Sequence, residues 1–115
     1  MTWVNLDDQY PEHPKVDGLS DGAFRLHTSA ICYCNRHLTD GVVTAEKVVR
    51  LVPRFKRSYV DELLERLVWH DLGGGAAYEI HDYLDWNASR AQVAEARQKN
   101  SENGRKGATK RWATR

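Results

Sequence analysis

Three consecutive glycines, Gly73, Gly74 and Gly75, separate two short runs of extended-chain character, Val68-Trp69-His70-Asp71-Leu72 and Ala76-Ala77-Tyr78-Glu79-Ile80. Glycine reaches positive backbone angles without a side-chain clash, so this triplet suits a tight hairpin turn and spoils the interior of any helix. A strand-to-strand joint here fixes a β-hairpin late in the chain. What precedes it reads as helix, and the expected class is mainly α with a small β-hairpin, an α+β chain.

The first helix is the best signalled. Ser20 is placed to cap its amides, with Leu19 before it and Phe24 after it as a hydrophobic staple. Ala23, Phe24, Leu26, Ala30, Ile31, Cys34 and Leu38 recur at three- and four-residue steps as its inner stripe. Asp40 and Gly41 then make a turn, and a short extended piece over 41–43 leads to Thr44, the expected cap of a second helix reaching about Val52. Pro53 stops that helix, leaving a basic turn over 53–57 that holds Arg54, Lys56 and Arg57. Ser58 is expected to open a third helix, with Asp61 answering its first-turn amides and Val60, Leu63, Leu64, Leu67 and Val68 buried. Helices, a short strand and a terminal hairpin in this order describe a winged helix-turn-helix, in which the third helix usually enters the DNA major groove.

Charge is divided along the chain. Residues 1–96 hold 10 Lys/Arg against 15 Asp/Glu, whereas residues 97–115 hold 7 against 1. The basic end reads as an electrostatic arm for a polyanion or an acidic surface. Length and a 41% hydrophobic content fit one modest core. No long apolar stretch and no basic-then-apolar leader is present, so the expectation is a soluble, non-exported protein without a membrane partner. Cys32 and Cys34 lie two apart on a helix, where they cannot readily bridge, and reduced buried thiols are expected. Joining them with His27 and His37 would spread metal ligands around a helix, so neither a metal nor another cofactor is expected.

Beyond the hairpin, Tyr83, Leu84 and Trp86 offer apolar area to seal the core. Asn87 is the expected cap of a last helix over 88–96, whose apolar residues are mostly alanine. Close packing of that segment against a second copy would make a homodimer. From residue 100 the composition turns to Gly, Lys and Arg, and Gly104 and Gly107 favour a mobile arm. The expected organisation is a domain over 1–86, a projecting helix over 87–99 and a basic flexible tail over 100–115.

Several sequence words also carry a resemblance: Trp3-Val4-Asn5-Leu6-Asp7-Asp8, His13-Pro14-Lys15-Val16, Leu19-Ser20-Asp21-Gly22-Ala23-Phe24-Arg25-Leu26, Cys32-Tyr33-Cys34-Asn35-Arg36-His37-Leu38-Thr39-Asp40-Gly41, and Ile80-His81-Asp82-Tyr83-Leu84 with Asn87 and Ser89. Together they resemble a family of small helix-turn-helix proteins abundant in bacteriophages of actinobacteria, similar to the amino-terminal domain of phage replisome organisers. The likeness covers most of residues 2–90 and the basic ending with a Trp. It implies a winged helix assigned to DNA binding, in the host cytoplasm, in replication or transcriptional control.

Candidate DNA contacts are Lys47, Arg50, Arg54, Lys56 and Arg57 around the turn, Tyr59 and Arg66 on the third helix, and Arg105, Lys106, Lys110, Arg111, Trp112 and Arg115 in the tail. Against a simple major-groove reading, Asp61, Glu62 and Glu65 share the polar side of the third helix and would be repelled by phosphate. An acidic third helix or the hairpin binding a host or phage replication protein is therefore the alternative. Asp7, Asp8, Asp82, Asp85 and His81 have no spacing that ties them to one catalytic site, and the glycine triplet lacks the strand-to-helix context of a phosphate loop, so no enzymatic activity is expected.

Overall fold

The computed structural model describes residues 3–87 and 89–113, with side chains described for all of these except Trp86 and residues 103–113. It is an α+β structure with one small antiparallel sheet. A 3-10 turn over Tyr10–Glu12 and a single-turn helix α1 (Pro14–Asp17) precede the long helix α2 (Asp21–His37). Strand β1 (Val42–Thr44), helix α3 (Ala45–Val48) and helix α4 (Arg57–Glu65) follow. The hairpin is β2 (Trp69–Asp71) and β3 (Ala77–Ile80), and the chain ends in α5 (Tyr83–Trp86) and α6 (Arg90–Ala113).

Strand order in the sheet is β1-β3-β2. Val43 faces Tyr78 across one pair, and His70 faces Glu79 across the other. The strand after α2 is thus drawn in beside the outer side of the hairpin, and the helices pack on the sheet's inner face. Ala23, Leu26, Ala30 and Cys34 of α2, Val60 and Leu63 of α4, and Val43, Trp69 and Tyr78 of the sheet form the centre of the core.

Ser20 caps α2 as its sequence position predicts, its Oγ accepting from the Ala23 amide at 3.2 Å. The inner stripe departs from expectation at three places. Phe24 is half-buried and lies against Tyr10, with ring centroids 5.3 Å apart. Leu38 is half-buried and ends α2 in a left-handed conformation at φ 54°. The unexpected member is His27, buried, whose Nδ1 accepts from the Trp69 indole at 3.0 Å and so ties α2 to the hairpin. Cys34 is buried and its thiol is pushed up to about 11 by that burial, while Cys32 is half-buried, and both are free.

Other boundaries move for identifiable reasons. Helix α3 stops at Val48, short of Val52, as turns begin before Pro53. Leu67 leaves the expected buried stripe: it takes φ 60° just past α4, is 56% exposed, and its amide and that of Val68 bond back to the carbonyls of Leu64 and Leu63. This is a Schellman ending, which forces the residue after the helix out of the apolar face. Tyr83 does seal the core, but Leu84 is exposed, and the Trp86 side chain lies outside the described residues.

Asn87 does not cap the last helix. Its side chain accepts from the Asn5 amide at 3.1 Å, and the cap is a reciprocal box in which Ser89 Oγ accepts from the Gln92 amide and Gln92 Oε1 accepts from the Ser89 amide, at 3.1 and 2.8 Å. Helix α6 then runs through Ala113, past the expected end near 99. Ala, Arg, Lys, Gln and Glu are strong helix formers, and two glycines at about 1 kcal/mol each do not outweigh them. At 24 residues it is about 36 Å long. No helix among the described residues is long and apolar enough to cross a membrane.

Candidate nucleic-acid interface

The chain leaves α3 at Val48, well before Pro53, and the turn through Pro53 and Arg54 delivers α4 by its amino end. Lys56 is the residue that flanks α4, in extended conformation, and its side chain makes no cap bond to the first-turn amides. Ser58 therefore lies inside the helix rather than before it. Asp61 does not answer those amides either, since its Oδ1 lies 3.4 Å from the Nε of Arg57, one helical turn away. An uncapped helix start carries partial positive charge and favours an anion.

Cations gather at this end. Arg54, Lys56 and Arg57 are exposed, and among the described residues Arg54 and Lys56 have no carboxylate partner. Arg57 is held in place: its Nη1 donates to the Tyr78 hydroxyl at 3.2 Å, linking the start of α4 to the middle strand. Lys47 is exposed on α3, and Arg50 just beyond it lies 3.9 Å from Glu46 in a solvent-facing pair that contributes little.

Two other expected contacts have structural work. The Tyr59 ring lies against Gly22 of α2, and the Arg66 guanidinium lies over Gly18 between α1 and α2; a Cβ at either glycine would collide with them. Both side chains lie at the α2 amino end, and Tyr59 also lines a surface pocket with Pro53 and Arg54 of the turn. Arg105, Lys106, Lys110, Arg111 and Trp112 belong to α6, their side chains outside the described residues, and Arg115 lies outside them altogether.

The acidic residues of α4 separate into distinct roles that spacing alone did not reveal. Glu62 reaches back to α2, where its two carboxylate oxygens accept from the Ser20 amide at 2.9 Å and the Ser20 hydroxyl at 2.6 Å. It thereby completes the α2 cap from another element. Asp61 is paired with Arg57, and Glu65 stays exposed without an ion-pair partner among the described residues.

At the hairpin tip, Asp71 accepts from the Gly73 amide at 2.8 Å and from the Gly75 amide at 3.1 Å. Those amides, with Arg57 nearby, hold its carboxyl below the usual range. Gly73, Gly74 and Gly75 all have positive φ, as the triplet predicts. The tip carries no cation, and Leu72 on it is 51% exposed. No family model, no curated protein and no solved structure matches this chain.

Proposed function

We propose that the protein is a non-catalytic winged helix-turn-helix protein, encoded by a phage, that binds double-stranded DNA in replication or transcriptional control in the host cytoplasm. The observation that carries this reading is the juxtaposition at α4: an uncapped helix start flanked by Arg54, Lys56 and Arg57, on a helix followed by a hairpin in a β1-β3-β2 sheet. That element order suits a helix-turn-helix whose second helix points its amino end at phosphates. Helix α6, with seven Lys/Arg against two Asp/Glu, adds a second cationic element. The tip, with Asp71 occupying its own amides, is not assigned a phosphate contact. Lys47 and Arg50 extend the patch at its edge.

Fluorescence anisotropy with a labelled duplex at low salt tests this. Expected is salt-dependent binding in which each phosphate contact contributes about 0.9 to the logarithmic slope. Lys56→Ala or Arg54→Ala should lower that slope by about one each and weaken binding uniformly across sequences. Absence of duplex binding at low salt would remove the proposal.

The alternative reading, docking onto a host or phage replication protein, is favoured by one specific feature. Exposed Glu65 and Leu67 at the end of α4 form an acidic and apolar pair that a phosphate-lined groove does not suit. Glu65→Lys separates the two: stronger DNA binding supports the first reading, and loss of a saturable protein partner supports the second.

A further inference from the structure

His70 on β2 and His81 just after β3 meet at the end of the hairpin away from its glycine tip. His70 Nε2 and His81 Nδ1 are 2.9 Å apart, and the rings stand edge to face at 74° with centroids 5.0 Å apart. The other nitrogen of His81, Nε2, is 3.1 Å from Asp82 Oδ2. An ionised carboxylate only accepts, so in the neutral pair the His81 proton sits on Nε2 and Nδ1 presents a bare lone pair to His70.

We propose that these two histidines form a binding site for a divalent transition-metal ion of the zinc type. Two imidazole nitrogens bound to one tetrahedral ion at about 2.0–2.1 Å lie about 3.3 Å apart. To admit it the nitrogens part by a few tenths of an ångström and each ring turns so that its lone pair points at the ion rather than along the line between the rings. Asp82 supplies the outer carboxylate that ligating histidines commonly have, fixing the orientation of the His81 ring. The ion takes the lone pairs of His81 Nδ1 and His70 Nε2. The proton that bridged the rings passes through solvent to Nδ1 of His70, so both imidazoles stay neutral and no proton is lost overall.

Among the described residues no third His, Cys, Asp or Glu joins the pair in a metal-holding group. The site is therefore open, with its remaining positions filled by water or by a donor from a bound partner. It is also distinct from the Cys32, Cys34, His27 and His37 set, in which His27 Nδ1 is already committed to Trp69. An ion here joins β2 to the residue just after β3 and clamps the base of the hairpin. The main chain already closes there through the His81 amide to the Val68 carbonyl at 2.9 Å.

The test is titration of the full chain with zinc chloride by calorimetry, alongside thermal unfolding in zinc chloride and in EDTA. Useful variants are His70→Gln and His81→Asn, whose amides keep hydrogen-bonding groups near the replaced nitrogens but bind metal poorly. Expected are one saturable site in the parent chain, at least tenfold weakening in either variant, and a zinc-induced rise in Tm only in the parent. Asp82→Asn should weaken binding about tenfold or more. Imidazole nitrogen NMR should show the His70 and His81 signals shifting at lower zinc concentration than those of His13 or His37. No saturable zinc binding, equal binding by the variants, or another histidine shifting at lower zinc than this pair would overturn the assignment.

Discussion

His27 shows how one residue can set a pH dependence. Burial pushes its pKa from 6.5 down to about 4, because the imidazolium has no water and no counter-charge to stabilise it. The unfolded chain therefore binds a proton that the folded chain refuses between those values. The contribution to stability is complete above about pH 6.5 and is lost as pH falls toward 4, on the order of 3 kcal/mol. Urea unfolding at pH 7 and pH 4.5 should show this loss, and His27→Asn, which keeps an acceptor for the Trp69 indole, should flatten it. Asp71 adds in the same direction, since its lowered carboxyl pKa makes protonation cost the hairpin tip its two amide bonds. Leu67 gives a residue-scale prediction of opposite sign. Its left-handed backbone is strained for a leucine and its side chain is mostly exposed. Leu67→Gly should therefore stabilise by about 0.5–1 kcal/mol in chemical denaturation.

Elements are joined by side chains that reach across them. Glu62 on α4 finishes the cap of α2, so Glu62→Ala should lower stability by about 1 kcal/mol. Gly41 between α2 and β1 combines φ 87° with a Tyr83 Cβ that would lie 2.8 Å from any added Cβ. Gly41→Ala should cost about 1–3 kcal/mol, read as a drop in the urea midpoint, because strain and a backbone-near clash add. The hairpin, the α2 cap and the turn at Pro53 were legible in the sequence, since each rests on a local rule of glycine, serine or proline. The α4 cap and the start of α6 were not. Ser58 and Asn87 have the right chemistry for caps, yet α4 starts at Arg57 with Lys56 flanking it, the Asn87 side chain is spent on the Asn5 amide, and Ser89 caps α6 with Gln92.

Over the whole molecule, α6 dominates shape and charge. The longest extent is 65 Å and the radius of gyration 18.6 Å, against about 13 Å for a compact chain of this size. The helix is anchored at its start, where the Arg90 amide donates to Asp40 at 2.7 Å, and it carries no apolar stripe that the core would recruit. A projecting cationic helix on an anionic body is expected to accelerate encounter with a polyanion. Replacing Arg97 and Lys99 by Gln should slow duplex association at low salt several-fold and leave Tm unchanged, as stopped-flow and thermal unfolding would show.

The amino-acid sequence by itself determined the α+β class, the glycine-tipped hairpin, the Ser20 cap and the split of charge, because each depends on neighbours within a few positions or on composition. Only the tertiary structure decided that Glu62 serves α2, that His27 supports Trp69, that Tyr59 and Arg66 lie on glycines, and that His70 meets His81. Those pairings join residues 11 to 48 positions apart, and separation in sequence carries no record of which side chains the packed helices and sheet will bring within bonding distance.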